Sequence, residues 1–334
     1  MGVTIKDIAK FAGVSTTTVS KILNNKDKDI SNATRERVLN LIEEHNYRPN
    51  KIAKSLVTKK TNTIGLVIPD IRNPFFPELA RGAEDKANEK GYNIIFCNTD
   101  DDSDKEEKYI NMLVEKMVDG IVFTAASERE KGFEGKKKTS VPIVLVDRDV
   151  DINGIIGKVT VDNFKGGYEG TKHLLQLGHE RILYLSGPLE SKTALDRLKG
   201  YKKALNEFNV KFKEEYIKEG NYKSEWGYKA IKDIGNKLKY TSVFCGNDLI
   251  AIGAIKALKE MKLDVPKDIS VVGFDDIYMS NLIDPELTTI RQPNYKMGYK
   301  AIEILIDAIE NKEKNIKHID LSTQLVVRKS TSKR

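Results

Sequence analysis

The chain has 334 residues, 40% of them hydrophobic and 31% charged, which suits a soluble protein of two or three globular domains. No apolar run approaches the ~20 residues needed to span a bilayer, and the opening MGVTIKDIAK lacks the apolar core of a secretion signal, so a cytoplasmic protein is expected. The net charge of +7 is uneven: residues 1–60 hold 12 Lys and Arg against 6 Asp and Glu, leaving a nearly neutral remainder, as expected of a small phosphate-backbone binder attached to a separate sensor.

Thr4 can cap a short first helix, with Asp7 near its positive end and Ile5, Ile8, Ala9 and Ala12 on one apolar face. Gly13 supplies a turn, and Ser15 is a natural N-cap for a second helix running to about Leu23. On that helix Val19, Ile22 and Leu23 point one way and Thr16, Thr17, Ser20 and Lys21 the other. A third helix from about Ser31 carries Val38, Leu41 and Ile42 inward. Three short helices with a turn between the first two make a helix-turn-helix unit. The exposed face of the second suits the major groove. Hydroxyls donate or accept at base edges, Thr methyls touch thymine methyls, and Lys21 reaches guanine or phosphate.

Next comes NYRPNKIAKSLVTKKT. Pro49 bars continuation of the preceding helix, Asn50 can cap, and KIAKSL allows about one and a half turns. A helix that short is unstable alone, but it can fold when pressed into a minor groove, with Leu56 as an apolar wedge. The stretches TIKDIAKFAGVSTTTVSKILNN, ISNATRERVLNLIEEHNYRPNKIAKSL and IGLVIPDI together resemble the LacI/GalR family of bacterial transcription regulators, over essentially the whole chain. That resemblance implies that Thr16, Thr17 and Lys21 read operator bases, with Thr4, Ser15, Thr18, Ser20 and Asn24 completing the headpiece's DNA-facing set. It implies further contacts from Asn50, Ala53, Lys54 and Leu56 in a hinge helix that orders on DNA, and a homodimer on a palindromic operator, with a tetramer left open. Residues 1–48 are then the headpiece and 49–60 the hinge and linker.

From Thr63 the pattern alternates. TIGLVIP, NIIFCN, GIVFTA and PIVLVD form one series of apolar strands, and KVTVDN, ILYLSG, SVFCGN and ISVVGFDD a second. Continuous Val and Ile runs between amphipathic helices predict parallel sheets covered on both faces, hence two doubly wound lobes. The expected lobes span about 61–159 with 293–320, and about 160–290 with 321–334. Such folds bind ligands beyond the carboxyl ends of their strands.

The strand ends are rich in polar and aromatic side chains. The first leads into Asn73, Pro74, Phe75 and Phe76, expected to form a turn that presents both rings to a ligand. PIVLV ends in Asp147 and Arg148, ILYLS leads to Arg197, and KEGNY ends in Tyr222. Asn247, Asp275 and Gln292 follow the later strands. Each has a plainer reading, as a helix cap, a local ion pair or core filler. Together they fit a polyhydroxylated ligand, with carboxylates and guanidiniums on vicinal hydroxyls and rings on C–H faces. This half resembles sugar-binding periplasmic receptors and the ribose-repressor-like branch of the family, which implies that these ten residues line the pocket and that D-ribose or a related pyranose is the effector. Tyr222 departs from the pattern, since its receptor counterpart is usually phenylalanine. The catabolite-control branch is similar through ELARGAED but is not expected to carry the Asp147–Arg148 pair. A regulator of that type using a corepressor, or an activator with the same fold, stays open.

Catalysis has little support: the chain contains no GxxxxGK[ST], G-x-S-x-G or HExxH motif. Its histidines (45, 173, 179 and 318) lack metal-like spacing, and His179 reads as a helix terminus. No cofactor is expected. Cys97 and Cys245, in apolar runs, read as small buried hydrophobes.

Overall fold

A computed structural model of the protein describes residues 3–48, 60–126, 141–150, 152, 154–235, 239–311 and 316–334. Their packing separates two units, residues 1–61 and 62–334. The hinge residues Asn50, Ala53, Lys54 and Leu56 lie outside the described residues.

The first unit contains helices α1 (Ile5–Ala12), α2 (Thr16–Leu23) and α3 (Asn32–Glu44). Thr4 opens α1 with a reciprocal capping box: its hydroxyl accepts from the Asp7 N–H, and the Asp7 carboxylate accepts the Thr4 N–H at 2.9 Å. Gly13 ends α1 in the left-handed conformation. Ser15 and Ser31 cap the next two helices through bonds from the N–H groups of Thr18 and Thr34. Ile8, Ala9, Ala12, Val19, Ile22 and Val38 form the core, with Leu23, Leu41 and Ile42 packed at its rim. The apolar stripe of each helix therefore lands where its periodicity directs it.

The second unit runs β1 (Thr63–Ile68), α4 (Phe75–Glu89), β2 (Asn93–Asn98), α5 (Ser103–Glu115), β3 (Gly120–Phe123), β4 (Ile143–Val146) and β5 (Ile155–Val161). It continues α6 (Asn163–Gln176), β6 (Ile182–Ser186), α7 (Lys192–Glu207), β7 (Ile217–Glu219), α8 (Ser224–Ile234), β8 (Ser242–Cys245) and α9 (Asp248–Glu260). It closes with β9 (Ser270–Asp275), β10 (Thr288–Arg291), α10 (Asn294–Asn311), β11 (Lys317–Leu321) and β12 (Gln324–Val326). One sheet is ordered β11-β5-β4-β3-β1-β2 and the other β12-β10-β9-β8-β6-β7. The first is parallel throughout. In the second, only the edge pair β12–β10 is antiparallel. The chain passes between lobes after β5, after β10 and after β11.

Two expectations need correction. KVTVDN does not open the second series: its strand, β5, pairs with β4 and β11 and carries the first lobe to Val161, past residue 159. Hydrophobicity marks a strand but not its sheet. Nor do Phe75 and Phe76 sit in a turn. They form the first turn of α4 with Pro74 as its N-cap, because proline's missing N–H costs nothing there. Their rings meet edge to face at 5.1 Å.

Candidate functional site

The first unit offers the outer face of α2. Thr16 and Thr17 are exposed, and neither hydroxyl is used in capping. Ser15 and Thr18 are engaged with each other, Oγ to Oγ1 at 3.0 Å, so this pair holds the helix start. Ser20 is half-buried, and its backbone oxygen accepts the Asn24 side-chain amide at 2.6 Å. Lys21 meets Asp29 at 2.5 Å, an exchangeable surface pair. Thr4 is spent on the α1 cap. The face thus presents free Thr hydroxyls and methyls flanked by a cation held in reserve.

In the second unit the ten residues expected from strand ends surround one cleft. Parallel strands deliver them there, since every β→α loop leaves its sheet at the same edge. Asp147 follows β4 directly and Asp275 ends β9, both at positive φ (69° and 115°). The second value lies in a region that side chains rarely occupy, so the surrounding structure must hold it. Arg197 comes from the second turn of α7, where α6 and α7 cross closely: a Cβ on Gly167 would fall 2.2 Å from the Arg197 carbonyl oxygen. Asn247 caps α9, its Oδ1 accepting from Ile250 N–H at 2.9 Å, while its amide donates to the Tyr222 carbonyl at 3.2 Å. The plainer reading of Asn247 as a cap is therefore also correct. Phe75 and Phe76 belong both to the first-lobe core and to the cleft wall.

The polar partners are unevenly distributed. Arg148 gives Nη1 to Asp101 at 2.8 Å and to the Ala125 carbonyl at 2.6 Å. Arg197 gives Nε to Asn163 at 2.8 Å and Nη1 to the Gly246 carbonyl at 2.6 Å, and lies 3.6 Å above the Phe274 ring. Asp147, 7% exposed, accepts no hydrogen bond from the described residues; its nearest charge is Arg148 Nε at 3.8 Å. Asp275 accepts the Gln292 amide on one oxygen at 2.7 Å, and the Gln292 carbonyl oxygen is buried without a partner among the described residues. Burial pushes both carboxyls above the usual carboxylate range, against the pull of Arg148 and Arg197 on Asp147 and of Arg197 on Asp275. Burial works against the Arg148 charge, yet Asp101 and Asp147 together raise its pKa.

The side chains nearly fill this space, leaving about 20 Å³ for the centre of a water molecule. Chambers of about 190 and 400 Å³ adjoin it, the first sharing Asp147 and Thr193, the second Asn73, Phe76, Arg148 and Tyr222. A ligand larger than a water molecule enters here only if the side chains or the lobes spread. Thr193 and Asn163 escaped the sequence reading. Thr193 precedes Arg197 by one helical turn, so an i, i+4 search around Arg197 would have found it. Asn163 begins α6 beyond β5 and acts through Arg197.

Residues 61–329 match the family model of periplasmic binding proteins and the sugar binding domain of the LacI family. Residues 4–50 match that of bacterial regulatory proteins, lacI family. The HTH-type transcriptional regulator RegA of Clostridium saccharobutylicum is 42% identical, aligned over 99% of this chain and 100% of that one. A lac repressor dimer bound to operator and the anti-inducer ONPF is similar at TM-score 0.84 and 27% identity, covering 99% of this chain and 100% of that one. A LacI family transcriptional regulator from Enterococcus faecium with bound ribose is similar at TM-score 0.73 and 32% identity, covering 81% and 99%.

Proposed function

Because the chain belongs to the LacI family and is a DNA-binding transcriptional regulator, we propose that it represses a sugar-utilisation operon and leaves a palindromic operator when D-ribose or a related pyranose binds between its lobes. One observation carries the choice of ligand. The cleft holds acceptors without enough donors among the described residues: the Gln292 carbonyl oxygen, which is buried with no partner, and the carboxylates of Asp147, which accepts no hydrogen bond there, and of Asp275, which accepts on one oxygen. Unpaired buried acceptors are costly, and a ligand bearing several hydroxyls satisfies them. Arg148 and Arg197 face Asp101, Asp147 and Asp275, so no excess positive charge is left to hold an acid, which favours a neutral sugar over a sugar acid. The ribose-bound relative supports ribose as the first candidate.

Sugar releases the operator only if it binds the closed lobes better than the DNA-bound arrangement. Two headpieces, one from each protomer, match the two halves of the palindrome. The test combines two measurements. A thermal-shift screen over pentoses, hexoses and purine bases should show stabilisation by ribose of about 2.7 kcal/mol at one hundred times Kd. Trp226, the only tryptophan, donates to the Ser186 carbonyl near Tyr222 and provides a fluorescence readout of binding. Anisotropy on a palindromic site recovered by binding selection should then show weaker DNA binding with ribose present. Ribose bound with operator affinity unchanged refutes the coupling; tighter operator binding makes the sugar a corepressor.

A further inference from the structure

Strand β9 ends in Asp275 and is followed at once by a second aspartate, Asp276, which lines neither the cleft nor its adjoining chambers. The Asp276 side chain is 6% exposed, and both of its carboxylate oxygens are engaged. Arg291 donates Nε to one at 2.6 Å, and Arg328 brings Nη2 to 2.6 Å from the other. Arg328 is itself fixed: it gives Nη1 to the Leu287 carbonyl at 2.8 Å and its backbone N–H to the Thr288 hydroxyl at 2.9 Å. Asp276 also stays in the left-handed region, at φ 59° after the 115° of Asp275. Two consecutive residues with side chains at positive φ cost stability that neighbouring contacts must offset.

Asp275 offers little toward that offset, with one bond from Gln292 and a burial that disfavours its charge. Asp276 offers two charge-assisted contacts away from solvent, the stronger class of polar interaction. Their placement is specific. Arg291 is the cross-strand partner of Asp275 in the β9–β10 register and immediately precedes Gln292. The Asp276–Arg291 bond is thus a second rung beside the Asp275–Gln292 bond, joining the same two chain segments outside the cleft. Arg328 ties in a third segment from beyond β12, whose Gln324 pairs with Arg291. We infer that Asp276 is a positioning residue: held by Arg291 and Arg328, it keeps in place the strained backbone that carries Asp275 and Gln292. It does not touch the effector, and its influence on binding passes through those two residues.

The binding arm of the test rests on the sugar reading; a second arm needs no ligand. In the free protein the Gln292 N–H donates to the Asp275 carbonyl at 3.1 Å. Its hydrogen exchange should run at least about tenfold faster in Asp276→Asn and in Arg328→Gln, while amides of β6 and β8 keep their parental rates. Calorimetry with D-ribose is run on the parent, on both variants, on Asp275→Asn and on the double variant Asp275→Asn with Asp276→Asn. Asp276→Asn should weaken ribose at least about tenfold in the parent background. In the Asp275→Asn background it should cost no more than about threefold, because much of what it positions is already disabled. A residue that only stabilises the fold would lower the thermal midpoint and leave ribose affinity unchanged, or cost the same factor in both backgrounds. Either result overturns the inference, as does Gln292 exchange unchanged in both variants. Parent protein that binds no ribose overturns the sugar reading, and the exchange arm then decides the inference alone.

Discussion

Gln292 donates its side-chain amide to Asp275 at 2.7 Å and keeps its own carbonyl oxygen buried, without a partner among the described residues. The bond holds the amide of this cleft-lining residue in one orientation. Asp275 sits at φ 115°, a conformation kept at some cost in stability. Strain, a buried carboxylate and an unpaired carbonyl oxygen at one point work against the free protein's stability.

Asp275→Asn tests that trade. It keeps the shape and an acceptor for Gln292 but removes a charge that burial disfavours. The free protein should melt at the same temperature or higher, while ribose affinity falls about 10- to 150-fold, the loss of a hydrogen bond to a charged group. A lower midpoint with sugar affinity intact would show that Asp275 is structural.

Ribose affinity should weaken in acid. The Asp147 and Asp275 carboxyls have pKa values raised by burial, and sugar hydroxyls bond their ionised forms. Binding therefore expels protons below those raised values, and affinity falls by up to about tenfold per pH unit for each carboxyl. The same shifts act oppositely on the free protein: a raised folded pKa contributes stability at acid pH that is lost as pH rises. Calorimetry from the ordinary carboxylate range upward, in buffers of different ionisation heat, counts the protons; ribose affinity that does not rise with pH contradicts the assignment.

Asp248 is the internal brace behind the cleft. Its carboxylate is fully buried and accepts from Ile277 N–H at 2.9 Å, Ser280 Oγ at 2.7 Å and Thr289 Oγ1 at 2.5 Å. Asp248→Ala leaves those donors unpaired and should cost about 3 kcal/mol or more in urea unfolding. Burial raises the Asp248 pKa to about 6 despite these bonds. Its contribution is therefore present below the unfolded value and lost as pH rises through about 6. Asp248→Asn should compare more favourably with the parent at pH 8 than at pH 4; the reverse trend would contradict the raised pKa.

Asp29→Ala frees Lys21 on the headpiece. The pair is exposed, so stability should change by less than about 1 kcal/mol. DNA affinity should rise at low salt and steepen in its salt dependence. Lys21→Ala should cost about 1–3 kcal/mol on the selected operator if Lys21 reads a base. An equal loss on random DNA assigns it to phosphate instead.

The headpiece was legible almost residue by residue, because its determinants are local: capping side chains at Thr4, Ser15 and Ser31, and apolar stripes at helical spacing. The cleft residues were legible as residue types at strand ends, which parallel topology carries to one edge. The state of each polar atom was not. That Arg197 is steadied by Asn163, and that Asp147 meets no donor among the described residues, depends on contacts between distant segments. The Phe75–Phe76 pair misled for a related reason: proline and asparagine signal turns and helix starts alike.

The sequence by itself determined the division of charge, the helix-turn-helix and the alternating strands, since each follows from spacing and propensity within a short window. Only the tertiary structure decided that β5 belongs to the first sheet, that Asp248 braces three segments, and that Thr193 stands 3.5 Å from the Tyr222 hydroxyl. Those facts depend on which segments meet across long loops, and burial then sets the cost of every unpaired atom where they meet.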